Sequence, residues 1–227
     1  MCADLARYTP RPRPRRVVLE GRYARLEPLS DVAHGDALFA ASSGTGAAER
    51  FRWLFDEPPR DRADMRDWIE RSQLSDDPLF FAVVDRASGR AEGRQTFMRI
   101  TSEHGVIEIG NIFWGPAISR TRVATEALYL FARHVFDTLG YRRLEWKCNA
   151  DNQPSRAAAL RFGFQFEGIF RQHMVTKGAN RDTAWFSIID GEWPRLRDGY
   201  ERWLGPENFD GAGRQRRRLQ DCFAAQG

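Results

Sequence analysis

The sequence predicts one α/β (α+β) domain, a mixed central sheet with helices on both faces, and three observations carry that expectation. Strand-like and helix-like runs follow one another in the order β-β-α-α-β-β-β-α-β-α-β-β-α, with no internal repeat. The 227 residues suit one domain with tails. Between them, Val106 to Gly140 reads as one strand, one turn and one long helix.

Taken in order, Val17–Leu19 and Ala24–Leu29 are short strands around a Glu20-Gly21-Arg22 turn. Ser30 or Asp31 caps a helix over Val32–Ser43. Residues 42–48 are small and Gly-rich, a loop. The aromatic cluster Phe51-Arg52-Trp53-Leu54-Phe55 follows and ends at Pro58-Pro59. Trp53 and its neighbours either line a substrate pocket or cover one end of the core. Met65, Trp68 and Ile69 recur at helical spacing in Arg62–Leu74. Pro78–Asp85, Gly93–Ile100 and Val106–Trp114 are three strands in succession. A helix over Thr121–Leu139 then shows a wide apolar stripe from Ala124 to Leu139.

In Arg142–Cys148, Leu144, Trp146 and Cys148 alternate with Arg143, Glu145 and Lys147, a strand with one buried face. Asp151-Asn152-Gln153-Pro154-Ser155 opens a helix that stops at Phe162-Gly163. Phe164–Val175 and Asp182–Ile189 are the last strands, joined by a polar turn, and Glu192–Leu204 is a closing helix. Residues 1–16 and 205–227 read as flexible basic tails around a domain at 17–204.

Composition narrows the function classes. No apolar run is long enough to span a bilayer, and the Pro/Arg-rich start is unlike an export signal, so the cytoplasm is the expected compartment. Cys2, Cys148 and Cys222 are odd in number and far apart, which argues against disulfides and against a metal site; Cys148 reads as a buried thiol. The net charge of +4 is a tail effect: residues 1–16 carry +4, residues 205–227 carry +1, and the body between them carries −1. A nucleic-acid binder carries its basic charge on the folded body, so the Arg-rich ends allow only auxiliary contact with RNA or ribosomes.

Two residues are out of place in Val106–Trp114. Gly110 weakens an apolar strand and marks a bulge or a close backbone approach, with or without a ligand. Glu108 is a carboxylate in an interior strand, and such a group is either ion-paired or functional. The helix start at Arg120–Thr125 supplies free N–H groups and a positive dipole end, suited to an anion or to nothing more than an ordinary helix opening.

Several segments together resemble the GNAT superfamily of acetyl-CoA-dependent N-acetyltransferases, most closely its ribosomal-protein (RimJ/RimL-type) branch. They are Gly21–Leu29, Glu108-Ile109-Gly110, Ala124-Thr125-Glu126-Ala127, Asn152-Gln153-Pro154-Ser155, Phe162–Gly168 and Lys177–Asp182. The resemblance covers about Val17 to Leu204. It implies a mostly antiparallel sheet splayed at the cofactor site and direct transfer of an acetyl group to a primary amine, a protein N-terminus or a small molecule. It implies acetyl-CoA as donor, with no metal.

By the same resemblance, Ile112, Phe113 and Trp114 flank the pantetheine arm, Ser119, Arg120, Thr121, Arg122, Val123, Ala124 and Thr125 hold the diphosphate, and Asn152 contacts coenzyme A. Glu108 relays the proton of the acceptor amine, and Ser155 serves the leaving thiolate. Both have plainer readings, Glu108 as an ion pair and Ser155 with Asn152 as local helix capping. Asn111 and His173 join Trp53 as candidate acceptor contacts. The chain departs from the family's Gln/Arg-x-x-Gly-x-Gly/Ala loop, with Ser119 at the Gln/Arg place and Arg122 at the Gly place. That departure and the basic tails leave a second hypothesis, a non-catalytic acyl-CoA-binding or ribosome-associated adaptor. Exposed aromatics also allow a homodimer.

Overall fold

The computed structural model describes residues 5–224. Its centre is an eight-stranded sheet in the order β1-β2-β3-β4-β5-β6-β8-β7. The strands are β1 Leu19–Glu20, β2 Ala24–Pro28, β3 Leu79–Asp85, β4 Arg90–Thr101, β5 Val106–Trp114, β6 Arg143–Asn149, β7 Gln165–Thr176 and β8 Ala179–Ile189. Every neighbouring pair is antiparallel except β5–β6. A parallel pair needs a crossover, and here it is the helix α4 (Arg122–Arg133).

The remaining helices are α1 Asp31–Ser42, α2 Ala47–Phe51, α3 Arg62–Ser72, α5 Gln153–Arg161, α6 Trp193–Leu204 and α7 Leu219–Ala224. One face of the sheet carries the main core, where Ile107, Ile109, Leu144, Trp146 and Phe186 meet Leu128, Phe131, Val135 and Tyr200. The other face carries a smaller core in which Leu38, Met65 and Ile69 of α1 and α3 cover Phe80, Ala82 and Val84. Strand β3 is buried on both sides, as its unbroken apolar run requires.

Several expectations are corrected. The helix expected through Leu139 ends its α-helical part at Arg133, and residues 134–138 widen into a π turn closed by Leu139 N–H to His134 O at 3.0 Å. The loop expected at 42–48 runs into the short helix α2. The six-residue turn expected before Asp182 is only Lys177-Gly178, with φ of 50° and 74°, the backbone of a tight hairpin.

The C-terminal segment is the largest correction. Residues expected to form a flexible tail pack on the main core through Phe209, Leu219, Cys222 and Phe223, and Tyr200 meets Phe223 at 5.2 Å. The Arg- and Gln-rich composition hid four apolar side chains spaced to reach α6. Of the N-terminal residues, Arg11 donates its N–H to Ser102 O at 2.9 Å and Arg16 pairs with Asp76 at 2.6 Å, so this segment lies along the sheet end. Cys2 lies outside the described residues. Cys148 is buried, and burial pushes its thiol up. Among the described residues no helix is long and apolar enough to cross a membrane.

Candidate active site

The site is built on a separation of two strands. β5 and β6 pair only from Val106↔Arg143 to Ile109↔Trp146, although both run on, to Trp114 and Asn149. From Gly110 onward the β6-facing edge of β5 has no ladder partner. The separation coincides with a bulge: Asn111 and Ile112 lie opposite the single residue Gln95, and Asn111 takes φ of 47°. Gly110 adjoins this bulge, and its own role is room. A Cβ there would sit 2.3 Å from Met98 Sδ.

The turn after β5 leads straight to the start of α4. Thr121 caps the helix, its Oγ1 accepting from Val123 N at 3.2 Å, and Arg120 takes φ of 63°. Among the described residues the N–H groups of Arg122 and Ala124 have no acceptor. Such a helix end attracts an anion.

Arg122 does not point freely into this space. Its guanidinium lies over the rings of Tyr23 (4.3 Å) and Phe209 (5.2 Å). A second guanidinium, Arg161, stands nearby and was not singled out from sequence. It donates to Thr125 Oγ1 at 3.2 Å, stacks on Trp203 at 5.3 Å, and has no carboxylate partner among the described residues; burial pushes it down from its ordinary value. Phe209 and Trp203 are themselves edge to face at 5.1 Å. The C-terminal segment thus frames this end of the site.

At the point where the strands part, Trp146 Nε1 donates to Ser155 Oγ at 3.0 Å. The Ser155 hydroxyl is left to donate its own proton, and its neighbour is the Cys148 thiol. Ser155 and Asn152 also form the expected cap, with Asn152 Oδ1 accepting from Ser155 N at 3.1 Å. Phe113 turns its side chain to the far face, packing on Phe51 at 5.0 Å, and Trp114 meets Phe162 at 5.8 Å.

On the face opposite α4, charges alternate across four strands. Glu167, Arg143, Glu145, Lys147, Glu108 and Arg99 form a continuous chain of ion pairs. Glu108 is 2% exposed, and its Oε2 accepts from Arg99 at 2.8 Å and Lys147 at 2.9 Å. The ion-pair alternative for Glu108 is therefore what its surroundings provide. Lys147 also lies 3.9 Å above the Trp185 ring.

His173 stands beside this chain. One ring nitrogen, Nδ1, is 3.0 Å from Thr183 Oγ1, and the ring packs near Phe170 and Trp185. Partial desolvation pushes His173 below its ordinary value, aided by Arg181, Arg99 and Lys147 and opposed by Glu108. A roof closes over this end: Lys177 Nζ of the β7–β8 turn reaches Phe51 O (3.1 Å), Asp56 O (3.0 Å) and Glu57 (2.9 Å). Arg94, almost fully buried, pairs with Asp56 at 2.5 Å and lies over Trp68, anchoring the same loop. Trp53 is half-buried and stacked by Arg52 at 4.8 Å, with no contact that ties it to Glu108 or His173.

The family model for the acetyltransferase (GNAT) domain matches residues 25–165. A crystal structure of a GCN5-related N-acetyltransferase from Brucella melitensis is 61% identical, covers 96% of this chain and 98% of its own, and superposes with a TM-score of 0.94. An uncharacterized N-acetyltransferase, p20, of Bacillus licheniformis is 28% identical over 134 residues, 57% of this chain and 72% of that protein. The fold also matches the Microcin C7 self-immunity acetyltransferase MccE, solved with acetyl-CoA and AMP, at 20% identity and a TM-score of 0.65, over 74% of this chain and 93% of that one.

Proposed function

The chain belongs to the GCN5-related N-acetyltransferase (GNAT) family, and on that premise we propose that it moves an acetyl group from acetyl-CoA to a primary amine by direct attack in a ternary complex. The observation that carries this reading is the open edge of β5 from Gly110 to Trp114, leading directly to an unpaired helix start at α4. An extended pantetheine arm fits such an edge as an added strand does.

Acetyl-CoA supplies an activated acyl group: the amine nitrogen bonds to the carbonyl carbon while the C–S bond breaks and the sulfur keeps the electron pair. The chain's residues do the rest. The N–H groups of Arg122 and Ala124 bind phosphate oxygens, and Arg161, which has no carboxylate of its own, adds a charge-assisted contact. The backbone of Ile112 to Trp114 orients the arm. Ser155, already accepting from Trp146, donates its hydroxyl proton in a hydrogen bond to the departing thiolate. His173 takes the amine proton on Nε2, with Nδ1–H donating to Thr183 Oγ1. Glu108 holds Lys147 and Arg99 in place beside it.

The direct test is release of coenzyme A thiol from acetyl-CoA over a panel of amines and peptides, with thermal shift as a check on binding. Turnover with stabilisation by acetyl-CoA supports the reading. Stabilisation without turnover on a broad panel points to the adaptor hypothesis, and no stabilisation at millimolar acetyl-CoA overturns the cofactor assignment.

Two variants separate the roles. Arg161→Gln removes one charge-assisted contact, about 1.4 kcal/mol or tenfold in affinity, so titration calorimetry should show acetyl-CoA binding about tenfold weaker while kcat at saturation holds. Ser155→Ala should leave affinity intact and lower kcat by roughly tenfold, the loss of one hydrogen bond to a developing charge. The reverse pattern in either variant would refute its assignment.

A further inference from the structure

The six-residue chain of alternating charges is balanced within itself, three carboxylates against three cations. One further cation stands beside it and is not balanced. Arg181 is only 7% exposed, yet its guanidinium makes no hydrogen bond and no ion pair among the described residues, and its Nε is fully buried without an acceptor. It lies over the face of Phe55, at 5.2 Å.

A buried cation without a partner is costly. The place is informative. Asn149, the last residue of β6, pairs with Thr183, and Ala150 N–H donates to Asp182 O at 2.8 Å, so Arg181 lies just past the end of β6, at the open end of the separation from β5. Glu108, Arg99 and the Cys148 thiol lie within reach of it, and since burial raises that thiol, only Glu108 and Arg99 bring charge. Phe55 above it belongs to the loop that Lys177 tethers to the β7–β8 turn. Its chain neighbours Asn180 and Asp182, with Phe170, Arg171, Gln172 and His173, line an open cleft of about 920 Å³.

We propose that the acceptor is a small amine that also carries a carboxylate, and that Arg181 binds this carboxylate while His173 faces the amine. A simple ammonium would enter a space where Lys147 and Arg99 are balanced by Glu108 and Glu145 and where Arg181 is not balanced. A zwitterion brings the missing negative charge, and a guanidinium pairs with a carboxylate in two-pronged fashion. Arg181 acts here on substrate choice, at the same site and on the same acetyltransferase reading given above.

The test compares free amino acids with their carboxamides as acceptors, using thiol release by the full chain. Free acids should exceed their amides by at least tenfold in kcat/KM, and in Arg181→Gln that preference should shrink to about twofold through a rise in KM for the acid. Arg181→Lys should restore part of it. Acetyl-CoA should stabilise wild type and Arg181→Gln equally, and the Tm of Arg181→Gln without ligands should match or exceed that of wild type, since an unpartnered buried charge has been removed.

Amides equal to acids, a preference that survives Arg181→Gln, loss of acetyl-CoA binding in that variant, or a markedly lower Tm would each overturn the proposal. So would no turnover of either series by a chain that acetyl-CoA stabilises. A wild-type chain that acetyl-CoA does not stabilise would instead overturn the acetyltransferase reading beneath it.

Discussion

Replacing His173 by Gln should lower kcat by about a hundredfold, the low end of what a positioned base contributes, and should erase the acid limb of the pH profile. The sign follows from the surroundings. Partial desolvation and three nearby cations disfavour the imidazolium, so His173 titrates below its ordinary 6.5. It is neutral at pH 7 and able to accept a proton. As pH falls through its lowered value the ring becomes charged, and kcat at saturating acceptor should fall with it, with a midpoint under 6.5. In His173→Gln that limb should vanish while acetyl-CoA affinity stays at the wild-type level. Glu108→Gln offers the contrast. Its carboxylate is engaged by Arg99 and Lys147, so that variant should keep the limb and lose less rate. A limb that persists in His173→Gln and disappears in Glu108→Gln would return the proton to the residue the sequence first suggested.

That contrast shows which parts of the site are visible in a sequence. Glu108 and Gly110 stand out because each violates the pattern of its own strand, and a local violation can be read locally. Their partners cannot. Arg99 reaches Glu108 from a bulge on β4 where its own φ is 47°, and Lys147 reaches it because the β5–β6 register sets Glu108 opposite Glu145. Register between strands is a property of the assembled sheet. Arg161 and Arg181 were passed over for a related reason. In a chain with 35 Lys and Arg residues, what distinguishes these two is that Arg161 is half-buried and Arg181 buried with no carboxylate partner among the described residues, and burial is known only after folding. The C-terminal segment went the other way. Its composition favoured disorder, and Phe209, Leu219, Cys222 and Phe223 override it because α6 offers them a surface. The order of the strands and the longer helices survived, with only the short α2 and α7 added, because periodicity over a whole element outweighs any single side chain.

Two of the motif segments noted in the sequence, about a hundred residues apart, prove to be one structural device, and breaking it should cost the fold roughly 4 kcal/mol. Glu126 of α4 is 4% exposed and forms no ion pair among the described residues. Its carboxylate is held by backbone alone: Oε1 accepts from Arg22 N at 2.8 Å, and Oε2 accepts from Tyr23 N at 2.5 Å and Ala24 N at 2.6 Å. The turn between β1 and β2 is thereby fastened to the first turns of α4, which sets Tyr23 under Arg122 at the helix start. Glu126→Ala strands three donors, each worth about 1–3 kcal/mol when buried and unpaired, so denaturant unfolding should show a loss of roughly 4 kcal/mol, with acetyl-CoA binding weakened in step. Gly21 supplies an internal check. A Cβ there would fall 2.4 Å from Glu126 Cδ, so Gly21→Ala should destabilise the wild-type chain. With the Glu126 side chain gone the collision is gone, and Gly21→Ala should then cost little or nothing. The two substitutions must be strongly non-additive. Additive losses, or a Glu126→Ala chain within 1 kcal/mol of wild type, would mean that the carboxylate does not fasten the turn.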